Sequence, residues 1–188
     1  MKFFSKTVSD FGYDDCPGHP IWLEPCEWLG KKDKNYPIHL ISNQPKDKLH
    51  SQMDHGSYSK SLKINGREPL EINPQDAKQR GLKDGDIVRL FNDRGACLAG
   101  IRINNKIRRN VVQMSTGAWH DPEDLSVPNS MCKHGNPNVL TLDKGTSKLG
   151  QGPIAHSCLI EIEKYNDKIP KVTAHEPPTI LRPKTNLN

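Results

Sequence analysis

Residues 67–104, REPLEINPQDAKQRGLKDGDIVRLFNDRGACLAGIRIN, decide the fold. Within them, NPQDAKQRG marks both ends of one short helix. Asn73 suits the N-cap, Pro74 the first helical position, Asp76 the positive helix end and Gly81 the stop. The period then changes: DIVRLFN and ACLAGIRIN are short β-branched or alternating runs, divided by the turn former NDRG at 92–95. This predicts a helix followed by a pair of strands.

The same pattern extends on both sides. A turn NNK precedes NVVQMS at 110–115, an apolar run IHLI closes a strand at 36–41, and SCLIEIEKY at 157–165 alternates. At least five strands and one or two short helices are expected. That census fits a mainly β chain, a small barrel with a helix in a crossover. A doubly wound sheet would need a longer helix after each strand.

At 188 residues, with 34% hydrophobic and 26% charged, the chain can bury one core and still carry loose ends. A net charge of +5 and a pI near 8.9 favour anionic partners only in a general way. The basic residues form no stripe, only pairs such as Lys31-Lys32 and Arg108-Arg109, so nucleic acid is not an expected partner. Five cysteines, odd in number and far apart, argue against a disulfide framework. Cys132-Lys133-His134 lacks the second ligand pair that a zinc site needs. No apolar run approaches the ~18 residues of a membrane span, and MKFFSKTVSDF is followed by no apolar signal core.

Three parts are expected: an arm at 1–35, a barrel at 36–166 and a proline-rich tail at 167–188, extended or disordered. In the arm, prolines and glycines interrupt Trp22, Leu23, Trp28 and Leu29 at no regular period, so it cannot build its own core. It either packs on a neighbouring domain or folds back on this one.

Chemistry-bearing motifs are mostly excluded on mechanism. GQGPIA at 150–155 has the letters of a dinucleotide fingerprint, but strand-type alternation follows Pro153 where a helix must start. GTSK at 145–148 has the wrong order for a phosphate-binding loop, leaving only small residues and Lys148 near a possible anion. His120 beside Asp121 suggests a base and its orienter, but neighbours on an extended chain point apart, which favours a turn with a capped carboxylate. No nucleophile or catalytic pair stands out. What remains is SNQPKDKLHSQMDHGSY at 42–58, directly behind the apolar run at 38–41. Asn43, Gln44, His50, Ser51 and Gln52 all donate and accept hydrogen bonds, which suits either a solvated loop or a polar ligand.

Taken in order, HLISNQPKDKLHSQ, INPQDAKQRGLKDGDIVRLFNDRG, NVVQMSTGAWHDP and GNPNVLTLDKGTSKLGQG resemble the C-terminal molybdopterin-dinucleotide-binding domain of the dimethyl sulfoxide reductase family. The likeness is nearest to its biotin sulfoxide and trimethylamine N-oxide reductases, and GYDDCPGHPIWLEPCEWLG is similar to the segment leading into that domain. The resemblance implies a double-psi β-barrel (aspartate-decarboxylase-like) and, in the full-length enzyme, molybdenum bis(molybdopterin guanine dinucleotide). It also implies a role for particular residues. Ser42, Asn43, Gln44, Pro45, Lys48, His50, Ser51 and Gln52 would form the first set of cofactor contacts, Asn138 a pterin contact, and Ala155 with His156 the closing contact. At Lys48 the family often has arginine, so a two-pronged phosphate contact is reduced to a point charge.

In the family the whole enzyme reduces an S-oxide or N-oxide. Its molybdenum ligand, a serine in this subgroup, lies upstream, so no catalytic residue and no protein ligand to the metal are expected here. The partners implied are upstream domains of the same polypeptide and the small-molecule substrate of the whole enzyme. The chain alone is expected to be inactive and to bind little cofactor. The source implied is bacterial, in the periplasm or cytoplasm with a lean to the periplasm. The alternative is a free-standing double-psi barrel that binds anionic ligands, nucleic acid or a partner protein.

Overall fold

The computed structural model describes residues 3–177. Six strands carry the fold: β1 (Ile38–Ile41), β2 (Pro69–Ile72), β3 (Ile87–Asn92), β4 (Gly95–Ile103), β5 (Val111–Met114) and β6 (Leu159–Lys164). The α-helices are short: α1 (Lys6–Ser9), α2 (Ser57–Leu62) and α3 (Pro74–Gln79), with a 3-10 turn at Pro137–Val139. The strands close into one barrel in the order β1-β5-β2-β4-β3-β6. β1 with β5 and β2 with β4 are parallel and the other neighbours antiparallel. Two parallel crossovers within a closed six-stranded sheet give the double-psi barrel that the sequence led us to expect.

Side-chain alternation explains which faces turn inward. In β1, β2 and β5 every second residue is buried, placing Ile38, Leu40, Leu70, Ile72, Val112 and Met114 in the core. β4 is buried almost continuously because other chain segments cover its second face. Cys132 pairs with Cys97, and Ile64 lies so close over Gly100 that a side chain there would overlap it.

β2 was not expected as a strand. Pro69 opens it, where a missing N–H is tolerated but where a proline reads in the sequence as a break.

α3 forms as its ends dictate. The Asn73 side chain accepts from the Gln75 N–H (2.9 Å), and Gly81 takes a positive φ of 65° just past the end. Asp76 does more than favour the positive end. It is buried, and its carboxylate holds Arg109 Nε (2.6 Å) and the Asn110 N–H (2.7 Å), tying the helix to the turn before β5. Asn73→Ala is expected to lower stability by about 1 kcal/mol. A shifted urea midpoint with unchanged slope is the check.

The arm lies along the barrel through polar contacts. Glu27 receives Arg94 Nη1 and Nη2 (2.5 and 3.0 Å) and the Leu159 N–H (2.7 Å), while Lys148 reaches Asp14 (2.8 Å). Several of its apolar side chains are turned the other way, while Trp28 and Leu29 are half-buried. Trp22 is 77% exposed, and Phe3, Phe4, Phe11, Ile21 and Leu23 are exposed with it. The arm thus folds back on the barrel through its polar groups and leaves these apolar side chains exposed. Residues 167–177 hold no helix or strand but pack on the barrel, and the rest of the expected tail, 178–188, lies outside the described residues. Among the described residues no helix is long and apolar enough to cross a membrane.

Candidate functional site

Strand pairing gathers the expected residues at one mouth of the barrel. β1 and β5 run parallel, Ile41 beside Gln113, so residues 42–52 and 115–119 leave the sheet at the same end. β2 runs antiparallel to β5 with Leu70 beside Met114, so Glu68 enters there too. β1 and β6 pair Ile38 with Ile160 and His39 with Leu159, and the Leu40 N–H donates to the Cys158 carbonyl (3.0 Å). Continued along the chain, that register brings Ala155 and His156 toward the end from which Ser42 departs.

The loop behind β1 is fastened to the segment behind β5. The Asn43 carbonyl accepts the Thr116 N–H (2.9 Å) and the Asn43 amide nitrogen reaches Ser115 Oγ (3.3 Å). The Gln44 amide nitrogen donates to His50 Nδ1 (3.1 Å), so the N–H of that ring sits on Nε2. Leu49 and Gln52 exchange backbone hydrogen bonds, which closes a tight turn around His50 and Ser51. Gly117 allows the close approach. It has a φ of 97°, and a Cβ there would overlap the His50 carbonyl.

Two polar atoms of this loop, Ser42 Oγ and Asn43 Oδ1, are buried without a hydrogen-bond partner. A buried acceptor left unmatched costs ~1–3 kcal/mol, so such atoms in adjacent residues at a barrel mouth mark a place built for a polar group from outside the chain. The donor set here, hydroxyl, amide and imidazole, matches the amide-like edge of a pterin, so these residues fit that group.

Lys48 is placed differently from its expected role as an anion contact. Its side chain is fully buried, and its ammonium lies 3.0 Å from Glu68, 3.4 Å from Asp54 and 3.7 Å from Asp47. Burial alone would weaken that charge, but the three carboxylates outweigh it and hold the Lys48 pKa above the usual lysine value. Lys48 therefore secures the loop from below, because the fold brings Glu68 from 20 residues away to join the nearby Asp47 and Asp54 around it.

Asn138 stands on the 3-10 turn, capped by Asn136, whose side chain accepts the Asn138 N–H (3.0 Å). This turn rests on the β3–β4 hairpin, where the Leu140 carbonyl accepts Asn92 Nδ2 (2.8 Å) and Arg94 Nε (2.7 Å). The segment leading to it also serves the first loop, since the His134 carbonyl accepts the Glu68 N–H (3.1 Å). Asn138 lies four residues beyond His134, at most ~14 Å of extended chain, so the second expected contact is carried on the segment that floors the first.

Sequence reasoning missed a cluster beneath the loop: Asp54, Trp119, His134 and His175. Asp54 Oδ1 receives Lys63 Nζ (2.9 Å), and Oδ2 receives the Trp119 N–H (3.2 Å) and His175 Nε2 (3.0 Å). Burial would raise the Asp54 carboxyl, but Lys63, His175 and the Trp119 N–H prevail and hold it well below the usual range. His134 Nδ1 donates to the Trp119 carbonyl (3.0 Å), and burial, with Lys63 nearby, pushes this imidazole down to about 4. The Trp119 indole N–H in turn donates to the Ser51 carbonyl (2.8 Å).

Ligand-capable atoms of Asp54, His134 and His175 lie within 4.8 Å of one another. The surroundings oppose a cation there, because the Lys63 and Lys48 ammonium groups stand 2.9 and 3.4 Å from Asp54 and its lone pairs are already taken. The turn expected around His120 and Asp121 does not form; the chain there is extended, and the Asp121 carboxylate is held instead by the distant tail. Asp121 is buried and accepts the Thr173 N–H (2.7 Å), Thr173 Oγ1 (2.7 Å) and the Ala174 N–H (3.1 Å).

Comparison with known proteins agrees with this geometry. Residues 38–159 match the molydopterin dinucleotide binding domain. The chain is 45% identical over 181 residues to trimethylamine-N-oxide reductase 1 of Escherichia coli O157:H7, covering 95% of this chain and 21% of that protein. It is 42% identical over 178 residues to the dimethyl sulfoxide/trimethylamine N-oxide reductase of Cereibacter sphaeroides, covering 95% and 22%. It thus spans about a fifth of the length of these relatives. Among solved structures, acetylene hydratase from Pelobacter acetylenicus shares the fold, with a TM-score of 0.68 at 16% identity over 87% of this chain and 23% of that one. With two thirds of its length, including the whole barrel up to the start of β6, matched to that domain, the chain belongs to the molydopterin dinucleotide binding domain family.

Proposed function

We propose that this chain is the cofactor-clamping C-terminal part of a bacterial S-oxide or N-oxide reductase that holds molybdenum bis(molybdopterin guanine dinucleotide). The observation that carries the reading is the pair of orphaned atoms, Ser42 Oγ and Asn43 Oδ1, in the loop that leaves the barrel behind β1, within the segment matched to the family. When bound, the cofactor supplies the redox centre that accepts the oxygen atom of the substrate.

The residues of this chain bind and orient. Ser42, Asn43, Gln44 and Gln52 offer hydroxyl and amide groups to a pterin edge, and His50 offers its Nε2–H. Ser51 shapes the turn, Pro45 stands in the approach to it, and Asn138 reaches the same ligand from the second segment. Ala155 and His156 close the mouth from the β6 side. Lys48 acts through the carboxylates that hold the loop. None of these groups is asked to transfer a proton or electron, and the molybdenum ligand belongs to the rest of the polypeptide.

The open apolar surface of the arm, Trp22 above all, fits contact with that remainder. The whole enzyme is assigned to the periplasm or the cytoplasm, with a lean to the periplasm, which cell fractionation would check. The chain alone is read as inactive, since a cofactor gripped from one side would be held poorly.

The test is made in the full-length protein. His50→Ala with Gln52→Ala removes two matched contacts, each worth ~1–3 kcal/mol in a buried setting, so molybdenum and guanine nucleotide per protein should fall by roughly tenfold or more. Cofactor content equal to that of the unmodified protein, with the fold intact by circular dichroism, would overturn the assignment.

A further inference from the structure

We propose that residues 170–177 form a strap, in which Thr173 and His175 are positioning residues that hold the loop at 48–54 in its ligand-ready shape. The inference rests on the reading of that loop as the cofactor contact, and it adds a part of the chain to which no role has been given above.

The contacts form a continuous path. Residues 165–177 hold no helix or strand, yet they return to the mouth of the barrel. Arg67, buried, donates to the Pro170 carbonyl. Thr173 and Ala174 cap the Asp121 carboxylate from the tail side, and Lys133 Nζ donates to Thr173 Oγ1 (2.9 Å), which fixes the tail against the residues just after Trp119. His175 then inserts between two rings, 5.3 Å from Trp119 and 4.9 Å from His134 by centroid, each met edge to face.

From that position its Nε2 reaches Asp54 Oδ2 (3.0 Å). A carboxylate only accepts, so the imidazole donates. The same Asp54 oxygen takes the Trp119 N–H, and the Trp119 indole holds the Ser51 carbonyl. The path therefore runs from His175 through Asp54 and Trp119 to Ser51, within the expected contact loop.

The loop needs outside support. His50 and Met53 sit at φ of 51° and 69°, the left-handed region that costs a side-chain-bearing residue about 1 kcal/mol or more and persists only where surroundings impose it. Residues 48–54 form no helix or strand of their own to impose it. Gly117 and Trp119 do so from one side. His175 immobilises Trp119 and Asp54 from the other.

Amide hydrogen exchange on the purified chain tests the proposal without any cofactor. Four proteins are compared: the 188-residue chain, a chain ending at Ile169, His175→Ala and His175→Gln. The glutamine amide nitrogen can stand where Nε2 stands and keep the donation to Asp54, which alanine cannot. In the shortened chain and in His175→Ala, exchange at residues 48–54 and at Trp119 should quicken by about tenfold or more, while β3, β4 and β6 keep their protection. His175→Gln should return the loop to within about threefold of the unmodified chain.

Unchanged loop exchange overturns the strap. So does a rise shared by loop and strands, which would make the tail a general stabiliser, and so does a glutamine variant that behaves like alanine. Because no cofactor enters the measurement, a loop that loosens as described in a protein later shown to bind no pterin dinucleotide leaves the strap standing and removes only the ligand.

Discussion

Replacing Asp54 by alanine should destabilise the protein by about 3–5 kcal/mol, the range found when one member of a buried ion pair is removed. Asp54 is fully buried and serves four groups at once, the ammonium groups of Lys63 and Lys48, the Trp119 N–H and His175 Nε2. Alanine would leave Glu68, 3.0 Å from Lys48 and 2.8 Å from Lys63, to balance two buried cations with little help. The larger part of the loss is therefore stranded charge rather than missing attraction. That distinction can be measured. Lys63→Met in the Asp54→Ala background removes one stranded cation and should restore part of the stability, although alone it destabilises, so the two changes should couple by more than 1 kcal/mol in a double-mutant cycle. Urea unfolding of the four proteins gives the answer. Strict additivity, or an Asp54→Ala loss below about 1 kcal/mol, would mean that water already screens the cluster.

That cluster also shows where reading the sequence ends. The barrel was legible because burial in β1, β2, β3, β5 and β6 largely follows the period of the backbone, and the period is written in the order of residues. β2 escaped through its leading proline, which reads in the sequence as a break. α3 was legible to its caps. The amphoteric residues behind β1 were legible as a group, since Ser42 to Gln52 are contiguous, and the family likeness gave them a ligand. Lys48 shows the limit. Its charge suggested an anion, but the fold supplies Glu68, 20 residues on, as its partner.

His175 and Asp54 lie 121 residues apart in an extended tail and a loop, with no periodic signal linking them. Only the barrel closure brings them together. Cys132-Lys133-His134, excluded as a zinc motif on spacing, turned out to be informative one residue at a time. Cys132 lines β4, Lys133 holds Thr173, and His134 floors the loop.

The second large effect concerns acid, and its sign follows from His134. In the folded chain this imidazole is buried and held down to about 4, against 6.5 for an unperturbed histidine. Above pH 6.5 it is neutral in both folded and unfolded states and has no pH-dependent effect. As pH falls from 6.5 toward 4, the unfolded chain takes up a proton that the folded chain refuses, so stability drops by roughly 3 kcal/mol across that window. Below 4 both states are protonated and this loss stops. Asp54 acts in a lower window. Its carboxyl is depressed, so its contribution is present above the ordinary 3.8 and is lost only as pH falls further. Lys63, Asp54, His175 and the Trp119 carbonyl surround His134, and burial first, then the cationic Lys63, makes a positive charge there unfavourable. His134→Asn keeps a donor near the position of Nδ1 for the Trp119 carbonyl and removes the titration. It should be somewhat less stable than the unmodified chain at pH 7 because a ring is lost from a packed site. Its stability should nevertheless fall by about 3 kcal/mol less than that of the unmodified chain between pH 6.5 and 4. Urea midpoints taken at half-unit steps of pH across that range would show the two curves converging, and parallel curves would mean that the imidazole is protonated in place as the protein acidifies.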